Sequence, residues 1–197
     1  IFPNFLFIIG VSIVLSVGKQ IDSGKTKTEI LKKIIWRSIK IYLVGLFLWL
    51  FPEFDFSSIR WTGVLQRISF VFLFCSIIYL YTSWKSQILI CAVTLIFYWI
   101  TMVYVPIPDI GMPDLSLPEK NWAHFIDKLF LPGVLWQKTW DPEGILTTIP
   151  SIITGVFGLL VGYILTLKKN INEQLVIIFA FGVLLIFLGD CFRWLFP

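Results

Sequence analysis

Charge is scarce in this chain. Only 14% of its 197 residues are Asp, Glu, Lys or Arg, while 57% are hydrophobic. The mean hydropathy is +0.86. A soluble domain of this length could not cover so much apolar surface, which excludes an ordinary water-soluble globule. Histidine is rarer still: His124 stands alone. That leaves no paired-histidine metal motif and no Ser-His-Asp set, and no Gly-rich phosphate loop is found. The cysteines number three, Cys75, Cys91 and Cys191. An odd count without metal-ligand spacing argues against a disulfide framework and against zinc, so they read as packing residues and no metal is expected. No internal repeat and no low-complexity segment is evident. No basic stripe is interleaved with exposed aromatics, so the net charge of +4 does not point to nucleic acid.

What is present is apolar sequence in long runs. A bilayer core of about 30 Å needs about 20 apolar residues per helix. Six such segments lie near 1–18, 34–51, 62–81, 86–105, 145–167 and 174–191. Strands of a membrane barrel would instead alternate apolar and polar residues. The expected fold is therefore all-α: a polytopic transmembrane helix bundle, with residues 1–197 as one domain. The chain opens at Ile1 without a basic leader and closes at Phe196-Pro197 just after a span. It is expected to be a piece of a longer membrane protein, and residues 1–18 do not fit a signal peptide.

Basic residues set the orientation. Ten fall on one side, including Lys19, Lys25, Lys27, Lys32, Lys33, Arg37 and Lys40, with Lys85, Lys168 and Lys169 in later loops. Six fall on the other: Arg60, Arg67, Lys120, Lys128, Lys138 and Arg193. Loops 19–33, 82–86 and 168–173 are accordingly expected to be cytoplasmic. Trp49, Trp61, Trp84, Trp99, Trp140 and Trp194 lie near span ends and read as interface anchors.

The one long connection, 106–144, lies on the outer side. Its Trp122, Phe125, Ile126, Leu129 and Phe130 follow helical spacing and predict a short amphipathic helix over 121–131, stopped by Pro132-Gly133. It either rests on the bilayer surface or covers an outer cavity. His124 falls on its polar side and reads as solvated.

Two charged motifs interrupt the apolar sequence. In the first, Arg60, Gly63 and Arg67 share one helical stripe with Gln66 beside it, and Gly63 leaves room next to the arginines. Such a stripe binds a phosphate or carboxylate ligand, or pairs internally with an acid. In the second, Trp140-Asp141-Pro142-Glu143-Gly144 opens a span. Asp141 suits an N-cap, Pro142 a first turn, and Glu143 the positive end of the helix dipole. Beyond it Gly144, Thr148, Ser151, Gly155, Gly158 and Gly162 form one stripe of small residues. Such stripes admit a neighbouring helix closely, or leave a groove for an elongated ligand.

Three segments together carry a resemblance: Phe2-Pro3-Asn4-Phe5-Leu6-Phe7-Ile8-Ile9-Gly10-Val11-Ser12, Gly63-Val64-Leu65-Gln66-Arg67-Ile68, and Asp141 to Pro150. In identity, order and spacing they resemble the heparan-α-glucosaminide N-acetyltransferase family and its bacterial relatives. The last motif is the most specific. The resemblance implies a multi-helix membrane enzyme that moves an acetyl group from cytosolic acetyl-CoA to an amino sugar across the membrane. It also implies a key histidine in an outer loop ahead of the first span seen here. His124 does not match that position, so the chain by itself is expected to be inactive.

On this reading Glu143 and Asp141 are the candidate catalytic residues, orienting the histidine or the acceptor. Asn4, Arg60, Gln66, Arg67, Thr148 and Ser151 are the candidate substrate- and cofactor-binding residues. The expected partners are acetyl-CoA, a sugar or cell-envelope glycan acceptor, and the lipid bilayer, with a homo-oligomer left open. The rival expectation is a transporter or flippase with an intramembrane ionic site, which a Pro-containing helix near Arg67 also fits.

Overall fold

A computed structural model describes residues 2–136 and 140–193. Lys138 and Trp194, assigned above to the outer face and to the interface, lie outside the described residues, as do Ile1 and Phe196-Pro197. Among the described residues the chain is helical, with two isolated bridges and no strand. The helices are α1 (Phe2–Asp22), α2 (Lys27–Leu50), α3 (Val64–Tyr81), α4 (Trp84–Tyr104), α5 (Trp122–Phe130), α6 (Ile145–Thr166) and α7 (Ile171–Arg193). Short 3-10 turns occupy Phe56–Ser58 and Pro118–Lys120. In hydrocarbon each backbone group must be satisfied within its own segment, so apolar runs of this length settle as helices.

Five of these helices, α1, α3, α4, α6 and α7, are long and apolar enough to cross a membrane. The protein is an integral membrane protein. The segment expected at 34–51 is part of α2, a longer helix that starts seven residues earlier, behind a Thr26–Glu29 capping box. Its Lys27, Glu29, Lys32, Lys33, Arg37 and Lys40 keep it from matching the other five by composition.

The small-residue stripe of α6 decides the packing. Gly155 and Gly158 face α1 at Gly10 and Phe7, backbone against backbone. Gly162 meets Val14, and Gly155 also meets Cys75 and Val71 of α3. The groove allowed for along this stripe is thus filled by α1 over its inner part. Leu6, Ile13, Val14, Val71, Cys75, Val156 and Leu159 form the buried core around that contact. Cys75 and Cys91 are buried, in keeping with packing roles, whereas Cys191, also read as a packing residue, is exposed near the end of α7.

Helices α2 and α3 are clasped by paired hydroxyls. Ser38 Oγ donates to Ser69 O at 3.0 Å, and Ser69 Oγ donates to Ser38 O at 2.7 Å. At the Lys-rich end, Trp84 stacks on Tyr163 across α4 and α6. The loop from α4 to α6 lies at the opposite end, and α5 within it runs over nearly the expected residues. Asn121 caps α5 by accepting from His124 N–H at 2.9 Å.

Candidate functional site

The site is built where the α2–α3 connection meets the loop that follows α5. Gly133 has φ +93, and a Cβ there would run into Ile59 O, so this position demands glycine. The close approach lets Arg60 bridge to Gly133 and lets Val134 N–H donate to Ile59 O. Arg60 is therefore held in an extended segment. It does not extend the α3 helix, as the Arg60–Gly63–Arg67 stripe required, because α3 begins only at Val64.

Arg60 reaches across to the segment before α6. Its Nε donates to Asp141 Oδ2 at 2.8 Å and its Nη2 to Asp141 Oδ1 at 2.6 Å. The same Nη2 contacts Glu143 Oε2 at 2.5 Å. Asp141 is fully enclosed, and Thr62 Oγ1, Trp136 N–H and Glu143 N–H also donate to it. Burial alone would raise the Asp141 pKa, but Arg60, Thr62 and the Glu143 amide outweigh it and hold the carboxyl below its usual range. Burial likewise opposes the charge on Arg60, and its two carboxylate partners more than restore it. Trp136 and Trp49 flank the guanidinium, with ring centroids 5.0 and 5.8 Å away. Trp49, expected from the sequence as an interface anchor, thus packs on the buried ion pair.

The segment 141–144 does not open α6. The helix starts at Ile145 with Gly144 as its N-cap, so Asp141 is no cap and Glu143 is outside the first turn. The cap is supplied from α5 instead. Asp127 Oδ1 accepts from Ile145 N–H at 2.8 Å, and the Asp127 carboxyl lies directly against the hydrogen side of Gly144. Asp127 is buried, and its Oδ2 has no hydrogen-bond partner. Burial pushes its pKa up to about 6, against the pull of the Ile145 amide; Asp141 adds to the rise and Arg67 opposes it. His124 on the same helix is half-buried, with Nδ1 enclosed and unpartnered, so it is not the solvated residue expected.

Arg67 behaves differently from Arg60. Its Nη2 donates to Pro142 O and to Thr147 Oγ1, both at 2.6 Å, and its Nε is buried without a partner. Among the described residues no carboxylate lies within salt-bridge distance of it. Arg60 is thus the member of an internal ion pair, whereas Arg67 is held by a carbonyl and a hydroxyl, with the carboxylates of Glu143, Asp141 and Asp127 acting on it from beyond salt-bridge distance.

Beside Arg67 lies a cavity of about 540 Å³ between α2, α3 and α6. Its polar lining comes from Tyr42, Thr62, Gln66, Arg67, Glu143 and Thr148, against a wall of Trp61, Phe70, Phe74 and Ile152. Tyr42 and Trp61 are joined by a hydrogen bond from the Tyr42 hydroxyl to Trp61 O at 2.9 Å. The space expected beside Gly63 is taken by the Gln66 carboxamide, whose Oε1 is 2.7 Å from where a Cβ would stand.

No protein-family model matches this chain. The mouse heparan-alpha-glucosaminide N-acetyltransferase is 26% identical over 231 residues, which cover 91% of this chain and 35% of the mouse protein. The human protein of the same name is 26% identical over 230 residues, with 91% and 34% covered. The chain is distantly related to the heparan-alpha-glucosaminide N-acetyltransferase family. It spans about a third of the length of these curated relatives.

Four of the eight residues expected to form the site line the cavity: Gln66, Arg67, Glu143 and Thr148. Arg60 and Asp141 sit directly behind Glu143 as its support. Asn4 is exposed on α1, and Ser151 turns its hydroxyl back to Thr147 O at 3.1 Å; neither lines the cavity. Sequence reasoning passed over Asp127, Tyr42 and Thr62. For Asp127 a signal existed, since it is the one acid of an otherwise amphipathic helix. Tyr42 and Thr62 carry hydroxyls that no spacing rule singles out.

Proposed function

We propose that this chain forms part of a membrane acetyltransferase that moves the acetyl group of acetyl-CoA to an amino sugar or cell-envelope glycan outside a bacterial inner membrane. The observation that carries the reading is that Glu143 and Arg67 line one cavity, with Arg67 outside salt-bridge distance of any described carboxylate. The relatives named as N-acetyltransferases support it.

In this reading Asp141 is a positioning residue. All its contacts are internal, and it holds Arg60 so that Arg60 in turn holds Glu143. Glu143 is partly exposed to the cavity and accepts a hydrogen bond from the amine or a hydroxyl of the acceptor. Arg67, with Gln66 and Thr148 beside it, faces the acetyl carbonyl, where a fixed positive charge favours the oxyanion that develops during acyl transfer. The apolar wall excludes water that would otherwise compete as acceptor. Acetyl-CoA supplies the activated acetyl group; the residues of this chain orient and stabilise.

The test is transfer of labelled acetyl from acetyl-CoA to glucosamine, and to a panel of envelope sugars, by the full-length protein in sealed vesicles. Label on acceptor placed opposite the cofactor supports the reading. Folded protein that transfers nothing to any acceptor, but moves an anionic solute across the bilayer, replaces it with the carrier.

A further inference from the structure

Asp127 is buried beside the outer site, which as described uses it only as a helix cap. It is 1% exposed. Its Oδ1 accepts from Ile145 N–H, and its Oδ2 has no partner. A buried carboxylate oxygen without a donor is costly, whereas a protonated carboxyl carries its own hydrogen and no charge. The geometry therefore favours the neutral acid. Oδ2 lies directly against the hydrogen side of Gly144. Gly144 also lines the outer cavity, so a single glycine stands between that oxygen and the cavity.

Arg67 is unsatisfied in the complementary sense. Its Nη2 is engaged by Pro142 O and Thr147 Oγ1, while its buried Nε has no acceptor. Asp127 acts on it from beyond salt-bridge distance, as Glu143 and Asp141 do. The surroundings of Asp127 are few in kind. From α3 comes Arg67, and from α4 Tyr98, within electrostatic reach of both. The segment ahead of α6 brings Asp141, engaged by Arg60, and Glu143. The start of α6 brings the Ile145 amide. On α5 itself His124 stands one turn earlier, half-buried with Nδ1 unpartnered. Lys128, and Glu119 and Lys120 of the 3-10 turn packed on α5, are exposed. With Asp127 neutral, Arg60 and Arg67 are balanced by Asp141 and Glu143. With Asp127 ionised, the acids exceed the bases by one, where water screens little.

We infer that Asp127 is a positioning residue of the outer site, acting through Arg67: as the neutral acid it leaves the arginine's charge to the cavity, and as the carboxylate it draws that charge toward α5. The change falls in an ordinary pH range, because burial pushes the Asp127 pKa up to about 6. The consequence for catalysis rests on the acetyltransferase reading, in which Arg67 faces the acetyl carbonyl. An ionised Asp127 then weakens the stabilisation of the oxyanion.

The experiment uses the full-length protein with isotope-labelled arginine. The Arg67 Nε–H resonance, assigned by its loss in R67K, is followed as pH is raised. It is expected to move in one titration centred near pH 6 in wild type, H124Q and E143Q, and to stand still in D127N. Acetyl transfer to glucosamine is measured over the same range, and the wild-type kcat is divided by that of D127N, which cancels the acceptor amine's own titration. The ratio should be near one on the acid side and fall at least about five-fold on the alkaline side, so that the variant outruns wild type. A lesion of structure alone lowers activity and cannot produce that crossing. A resonance that does not titrate, that still titrates in D127N, or that stops titrating in H124Q or E143Q overturns the inference, and so does a flat ratio. If D127N does not fold, wild type, H124Q and E143Q decide by the resonance. If no acceptor is acetylated, the acetyltransferase reading falls, while the resonance still supports or overturns the hold of Asp127 over Arg67.

Discussion

Asp141→Asn isolates the buried ion pair, because it keeps the shape and removes the charge. The Oδ1 position receives Arg60 Nη2 and Glu143 N–H, and the Oδ2 position receives Arg60 Nε, Thr62 Oγ1 and Trp136 N–H. Whichever way the amide turns, its NH₂ faces at least two donors and loses those hydrogen bonds. A hydrogen bond to a charged group contributes about 1.5–3 kcal/mol, so two are worth about 3 kcal/mol or more. That agrees with about 3–5 kcal/mol for removing one partner of a buried pair. Glu143→Gln is the natural comparison. Glu143 makes one contact to Arg60 from a partly exposed position and leaves the Asp141 pair intact, so its loss is expected near the bottom of the single-bond range. The assay is the apparent melting temperature of the full-length protein in detergent, followed by intrinsic fluorescence and by the soluble fraction after heating. D141N should melt several degrees below E143Q, which should lie close to wild type. D141N melting with wild type, or E143Q melting below D141N, refutes the claim that Asp141 is the structural anchor and Glu143 the exposed member.

Gly158→Ala sets a methyl against the α1 backbone and is expected to cost about 3 kcal/mol, the upper end for overpacking, whereas Gly182→Ala meets nothing within 4 Å and should be silent; both are read by the same melting assay. The Asp127 carboxyl has a pKa of about 6 in the fold against the usual 3.8. The folded state therefore holds the extra proton between those values, and the stability contributed by the neutral acid is full below about pH 4 and lost as pH rises through about 6. Asp127→Asn keeps an acceptor for Ile145 N–H and should flatten that slope, whereas Asp127→Ala should cost about 0.5–2 kcal/mol at all pH values by uncapping α6. Arg67→Gln should retain fold better than Arg60→Gln, since only Arg60 has carboxylate partners, and comparison of their expression and melting checks it.

Much of the fold is legible in the residues because a bilayer leaves few choices. Apolar runs about 20 residues long have to be helices, and Gly155, Gly158 and Gly162 at spacings of three and four admit either a close backbone or a ligand groove, of which the structure shows the first. That the partner is α1 at Gly10 could not be read, since a stripe states that something approaches but not what. The site was half legible. Arg60, Arg67, Asp141 and Glu143 announced themselves because charge is rare here and costly to bury. Their division of labour was hidden, because it depends on the helix starting at Val64 rather than Arg60, and at Ile145 rather than Pro142. Both starts are set by tertiary contacts: the bridge of Arg60 to Gly133, and the Asp127 carboxyl supplied from α5. Local capping rules favoured Asp141 as an N-cap, and the buried Arg60 charge competed for it and won.

The account stands most directly on Glu143 as the residue that meets the acceptor. The decisive measurement is kcat/KM for acetyl transfer to the amino-sugar acceptor by E143Q in sealed vesicles, normalised to folded protein. The account predicts a loss of at least ten-fold, carried largely by the acceptor and not by acetyl-CoA, with folding near wild type. Transfer equal to wild type at equal folding contradicts it, and would return Glu143 to the role of a second counter-ion for Arg60.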